Sequence, residues 1–151
     1  MTVITCGIYI ITKDTKQILA CHATNSSWNL LSIPKGLCEK NETHLHGAIR
    51  ELKEETSIDL ISLGISENDI KYLGSSKYKK QNKKLEAYIV VIPTIIPIEQ
   101  LKCTSMVTGY RGKPPFPEVD SFYWISLADA KIKLHESQQS FLDNLASYIN
   151  P

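Results

Sequence analysis

Residues 36–58 read GLCEKNETHLHGAIRELKEETSI. Just upstream, Ile33-Pro34-Lys35-Gly36 reads as a strand end passing into a loop, because the residue before a proline is held extended. Within the stretch, Leu45, Ala48, Ile49, Leu52 and Thr56 recur at spacings of three and four, which predicts a helix over 43–56 with Thr43 or Asn41 as its cap. At ~100° per residue, Glu54 lies about 60° to one side of Glu51 and Glu55 about 40° to the other. The three carboxylates therefore share one arc, turned away from the apolar side. Like charges at that density repel, and a divalent cation among them reverses the sign. Mg²⁺ takes one or two carboxylates, keeps waters, and completes its shell with phosphate oxygens. The alternative is a solvated, charged helix face. The loop Pro34-Lys35-Gly36 favours the metal, since it sets a bend, a cation and a glycine where a phosphate chain would meet the ion. Arg50, four residues before Glu54, is placed to orient Glu54, Glu39 or Glu42. Gly47 suggests room for a loop or a bound phosphate.

Around this stretch the chain is ordinary. Its 151 residues are 42% hydrophobic and 22% charged with a formal net charge of +1, the profile of a single soluble domain, 1–151, with a full core. The near-neutral balance gives no electrostatic reason to bind bulk nucleic acid or membrane. The apolar start, Thr2 to Thr12, is Val-, Ile- and Thr-rich with no basic lead, so it reads as a strand rather than a signal peptide. No apolar run approaches the roughly 20 residues of a membrane span. Cys6, Cys21, Cys38 and Cys103 lack CxxC spacing, and isolated reduced thiols of a cytoplasmic protein are expected.

In chain order, Thr2–Thr12 and Gln17–Thr24 predict a hairpin across the polar turn Lys13–Lys16. Trp28–Ile33 is a short apolar run. Ile70–Tyr78 and Leu85–Ile96 predict two more strands, the second central, joined by a tip with five lysines between Lys77 and Lys84. Gly109, Gly112, Pro114, Pro115 and Pro117 make the 97–117 region a loop. Glu118–Ile125 predicts a last strand. Leu127–Leu134 and Glu136–Ile149 predict helix, with Leu134, Phe141, Leu145 and Ile149 turned to the core. The fold class expected is a mixed-sheet α/β sandwich.

The 36–58 stretch resembles the signature of the Nudix hydrolase family: Gly36, Glu42, Arg50-Glu51-Leu52, Glu54-Glu55 and Ile58 stand at its spacings, and Ser57 replaces the final glycine. The preceding hairpin and the Phe-Tyr-Trp-Ile strand before the last helix are similar too. The resemblance implies an α/β/α sandwich with a mixed β-sheet. It also implies Mg²⁺- or Mn²⁺-dependent hydrolysis of a nucleoside diphosphate linked to another moiety. By position, Glu51, Glu54 and Glu55 would be metal ligands, with the backbone carbonyl of Lys35 as a further one. Arg50 would orient the carboxylates, and Gly36 and Glu42 would be structural. A carboxylate would take the proton of the attacking water; Glu118 and the glutamates of the signature, Glu54 and Glu55 among them, are the candidates. Glycine at the Ser57 position would favour a left-handed helix end, so serine costs roughly 1 kcal/mol there.

For the substrate, Trp28 and the Pro34-Lys35-Gly36 entry resemble family members acting on dinucleoside polyphosphates and diphosphoinositols. The run from His135 to Gln139 resembles the final-helix start of diadenosine polyphosphate hydrolases. Lys35 would pair with phosphate. Tyr78, Tyr88, Tyr110 and Phe116 are candidates to stack on an adenine or flavin ring, with Tyr110 and Phe116 favoured by their loop. The expected substrate is a small nucleotide: ADP-ribose, FAD or a diadenosine polyphosphate. The alternatives are an oxidised nucleoside triphosphate, the 5′ end of capped or 5′-phosphorylated RNA, or binding without catalysis. An RNA substrate would require the 77–84 lysines beside the site. The resemblance also admits a homodimer, though no apolar helix calls for one.

Overall fold

The computed structural model describes residues 2–149, apart from the side chain of Ile149. In chain order it contains β1 (Val3–Thr12), β2 (Ile18–Ala23), β3 (Lys35–Leu37), α1 (His44–Thr56), β4 (Lys71–Lys77), β5 (Lys83–Ile92), β6 (Met106–Val107), β7 (Phe116–Pro117), β8 (Val119–Ile125), α2 (Leu127–Lys133) and α3 (Leu142–Ile149). Short 3₁₀ turns lie at Glu67–Asp69, Ile98–Gln100 and Glu136–Gln138.

The main sheet runs β4-β5-β1-β2-β8, with β3 paired to β1 off this path. β1 is parallel to β5 and antiparallel to β2 and β3, so the sheet is mixed. Alternation along β1 explains the three layers. Tyr9 and Ile11 turn to a core closed by Leu134, Phe141, Leu142 and Leu145. Ile8 and Ile10 turn to the opposite core, closed by Ala48 and Leu52 of α1. One sheet thus carries α1 on one face and α2 with α3 on the other.

The strand partners of β1 change along its length, and this matters for the site. Its first half pairs with β3, through Thr5–Leu37, Cys6–Gly36 and Gly7–Lys35. Its far end pairs with β2, through Ile11–Ile18. Between them, residues 31–34 bridge the two: Ile8 N–H donates to the Pro34 carbonyl, and Cys21 and Ser32 exchange backbone hydrogen bonds. The sheet therefore forks, with β3 on one prong and β2 with β8 on the other. A register shift between His22 and Ala23 interrupts the pairing of the second prong.

Three expectations need correction. Cys6 and Cys38 are joined in a disulfide, and only Cys21 and Cys103 are free; the β1–β3 pairing sets Cys38 next to Cys6 across 32 residues of sequence, a proximity that spacing alone does not reveal. The space inferred at Gly47 is filled, because an added Cβ would sit 3.0 Å from Glu42 Oε1 and 3.2 Å from Cys6 Sγ. The predicted 136–149 helix is broken into a 3₁₀ turn and α3. Gln138 breaks it: its carbonyl accepts from the Tyr9 hydroxyl, its Oε1 accepts from Ile33 N–H and its Nε2 donates to Ser32. Leu134, Phe141 and Leu145 are core residues as expected, whereas the Ile149 side chain lies outside the described part. The 97–117 region holds the small β6–β7 ribbon within its loop.

Candidate active site

α1 begins at Thr43, whose hydroxyl accepts from His46 N–H at 3.1 Å. It ends at Ser57 in the left-handed region, φ 68°. The strain expected of a non-glycine residue is present there and is partly offset, because Ser57 Oγ donates to the Lys102 carbonyl. Residues 102–104 cover this helix end: Lys102 N–H donates to the Thr56 carbonyl and Thr104 N–H to that of Glu54. Two carbonyls that a helix terminus leaves open are thereby satisfied.

Arg50 is the hub of the acidic face. Its guanidinium makes a fork to Glu42 at 2.6 and 3.0 Å, reaches Glu51 at 2.9 Å and Glu54 at 3.1 Å, and donates to the Leu37 carbonyl at 2.9 Å. These bonds tie the loop after β3 to the helix. They hold the Glu42 carboxyl below its usual range. Glu42 also accepts from Glu39 N–H at 2.7 Å, so it braces the loop.

Gly36 packs directly on this face. A Cβ there would land on the Glu51 carboxylate, so only glycine lets β3 approach the helix so closely. On the next turn, Glu55 accepts from Lys35 N–H at 3.1 Å. Glu51 and Glu55 are both buried. Burial pushes Glu55 up to about 9, with the Glu51 and Glu118 charges adding to it. Burial also raises Glu51, to about 6, against the pull of Arg50. Carboxylates crowded together and largely buried resist ionisation, and a cation among them would relieve that cost.

The fork of the sheet opens above these carboxylates as a cleft of about 580 Å³, a volume typical of small-ligand sites. Glu51, Glu55, Glu118, Lys35 and Gly36 line it, with Tyr110 and Phe116 at one side. The two rings meet edge to face at 5.8 Å. Glu54 points toward Arg50 and does not line the cleft. Nor does Trp28, which stacks on the buried His22 ring at 3.8 Å. His22 in turn meets Asp120 at 2.6 Å and the Ser26 carbonyl at 3.2 Å. This pairing positions the 25–26 loop, whose Asn25 and Ser26 line the cleft. Sequence reading passed over Thr5, Asn25 and Ser26. Polar residues of those types are common, and only the fold gathers them.

Among the described residues, no three carboxylate, imidazole or thiol groups converge into a ready-made metal cage. Mg²⁺ needs only one or two carboxylates from the protein, so Glu51 and Glu55, with Glu118 across the cleft, suffice as a donor set.

Fold and site together define a class: a forked mixed sheet carrying an arginine-braced acidic helix under a nucleotide-sized cleft. The family model of the NUDIX domain matches residues 1–145. The chain belongs to the Nudix family. Over 88 residues it is 34% identical to an RNA pyrophosphohydrolase of Pelagibacter ubique (strain HTCC1062), a match covering 52% of this chain and 55% of that protein. The chain thus spans about half the length of that curated relative. The E. coli dihydroneopterin triphosphate pyrophosphohydrolase superposes with a TM-score of 0.70 at 17% identity, over 98% of this chain and 96% of that one. A C. elegans Ap4A hydrolase superposes with a TM-score of 0.66 at 21% identity, over 99% and 98%. No helix among the described residues is long and apolar enough to cross a membrane.

Proposed function

We propose that the chain hydrolyses a phosphoanhydride bond in a nucleotide linked to a second moiety, with a dinucleoside polyphosphate as the leading substrate. The observation that carries this reading is Glu55: a buried carboxylate, raised to about 9, on the cleft floor beside Glu51. Such a group is costly to the fold and is explained by a cation. A bound Mg²⁺ or Mn²⁺ supplies neutralisation of the phosphate oxygens and an acidified water.

The chain's own residues do the rest. Glu51 and Glu55 hold the ion, with the Lys35 carbonyl as a further donor. Gly36 lets the phosphate chain and β3 lie against the helix. Arg50 keeps Glu51 aimed and Glu54 in reserve at the rim, and Glu42 keeps Arg50 in place. Glu118 stands across the cleft and is assigned the proton of the attacking water. Tyr110 and Phe116 offer a face to a base. Trp28 acts through His22, holding the 25–26 loop.

A second reading, the 5′ end of triphosphorylated or capped RNA, is favoured by one observation: Lys83, from the lysine-rich 77–84 segment, lines the cleft. The similarity to the Pelagibacter protein points the same way. A panel of diadenosine tetraphosphate, ADP-ribose, FAD and 5′-triphosphate RNA, each with Mg²⁺ and Mn²⁺, tests both readings. The Glu55→Gln variant is expected to lose at least 100-fold in turnover, on the order of ~3 kcal/mol of transition-state stabilisation. Undiminished turnover in that variant rules out the assigned site.

A further inference from the structure

The Cys6–Cys38 link joins two unlike ends. Cys6 stands on β1 and is wholly buried in the core beneath α1. Cys38 follows β3 and is half-buried. It lines a second groove, of about 400 Å³, together with Thr2, Lys40 and His44. Exchange of a disulfide with an outside thiol needs access to one of its two sulfurs, and here only Cys38 offers it. Glu39 and Glu42 also line this groove, but both turn to Arg50, at 3.6 and 2.6 Å. Lys40 makes no ion pair among the described residues, so the rim presents a cation to an anionic visitor.

A second, independent observation lies at the other sulfur. A Cβ added at Gly47 would sit 3.2 Å from Cys6 Sγ and 3.0 Å from Glu42 Oε1. The link and the Glu42 carboxylate therefore meet at the same bare turn of α1. Glu42 is the fork partner of Arg50, which also donates to the carbonyl of Leu37, the residue before Cys38. Arg50 in turn reaches Glu51 at 2.9 Å. An unbroken chain of contacts thus runs from the link to a carboxylate of the cleft floor.

We infer that Cys38 is an exchange site for a small thiol bearing carboxylates, and that opening the link frees the loop that aims Arg50 and weakens cation binding at Glu51 and Glu55. The second half rests on the proposed hydrolytic function and the first does not. The incoming thiolate bonds to Cys38 Sγ, and the Cys6–Cys38 bond breaks. Its electron pair goes to Cys6, which takes up the proton that the thiol gave up. The products are a mixed disulfide on Cys38 and a Cys6 thiol. A second molecule of the thiol attacks the outer sulfur of the mixed disulfide. It leaves with that sulfur as the small disulfide, and Cys38 is left as a thiol. Two thiols are oxidised and one protein disulfide is reduced.

The probes are reduced and oxidised glutathione with the full-length protein. Acid quenching and peptide mass mapping should find the glutathionyl group on Cys38 and none on Cys6. Two variants separate the sulfurs without a transient species: Cys6→Ala should take one glutathionyl group at Cys38 from oxidised glutathione, and Cys38→Ala should take none at Cys6. The reduced protein is expected to bind Mg²⁺ about tenfold more weakly by calorimetry, well below its thermal midpoint, with recovery on reoxidation. Amide hydrogen exchange should show residues 37–43 losing protection with it. A link that serves the fold alone would lower the thermal midpoint and leave both readouts unmoved. That result, or a link that resists glutathione, or glutathione found on Cys6, overturns the inference. The wild-type comparison stands by itself if either variant fails to fold. If neither redox form binds Mg²⁺, the metal reading falls, and amide protection at 37–43 decides whether the link controls the loop.

Discussion

Glycine 36 shows how much one missing methyl group decides. A Cβ there would overlap the Glu51 carboxylate, so Gly36→Ala must push either β3 or Glu51 aside. The expected outcome is a loss of turnover and of Mg²⁺ binding by at least tenfold with a folded circular-dichroism spectrum, checked by calorimetric titration of Mg²⁺. Glu55 carries a different signature. Its carboxyl is raised from an ordinary 4.5 to about 9, chiefly by burial. Between those values the folded, metal-free protein keeps a proton that the unfolded chain has released, so stability is greatest below pH 4.5 and is lost as pH rises toward 9. Melting curves in chelator from pH 5 to 9 should show a falling midpoint, and Glu55→Gln should flatten that fall. Mg²⁺ should restore more stability at pH 8.5 than at pH 6, because the cation competes with that proton. The glutamates and Arg50 were legible at this scale because their spacing is local to one helix. The Tyr78 hydroxyl, buried without a hydrogen-bond partner, was not. The ring neighbours Lys83 and His135 come from separate segments, and an unmet hydrogen bond leaves no mark on a sequence.

Among the elements, β1, β2, β4, β5, β8 and α1 follow their apolar periods, and their predicted limits fall close to the observed ones; β3 does not, because Lys35–Leu37 reads as a loop and becomes a strand only through its pairing with β1. The terminal segment does not, because the periodicity of 136–149 is helical throughout while the chain is not. A tertiary bond won over local propensity: the Gln138 carbonyl takes the Tyr9 hydroxyl in place of a helical N–H. The same side chain ties the segment to the loop before β3 through Ile33 and Ser32. Gln138→Ala leaves the buried Ile33 N–H without its partner and should cost about 1–3 kcal/mol in urea denaturation. Substrate turnover should suffer as well, since Ile33 leads into the Lys35–Gly36 floor of the cleft. The Cys6–Cys38 link belongs to this scale too. It depends on the register of β1 against β3, which lies beyond any spacing rule.

Taken whole, the molecule hangs two cores on one sheet, and β1 contributes to both. Neither core can come apart without exposing the other face of the same strand, so unfolding should be a single transition. Far-ultraviolet dichroism and tryptophan fluorescence in urea should give coincident midpoints, and separated ones would show that the two faces unfold independently. The two tryptophans make this a demanding comparison, because Trp124 packs against one core while Trp28 reports from the His22 stack outside both.

The fork in the sheet divides the labour of heredity as well as of space. Its hinge is backbone, held by the Ile8–Pro34 and Cys21–Ser32 hydrogen bonds, and these survive almost any exchange of side chains. The hydrolytic prong and the ring-bearing 105–117 ribbon can therefore change at different rates. A ribbon transplanted from another member of the fold should alter which base is chosen while the same bond is cut.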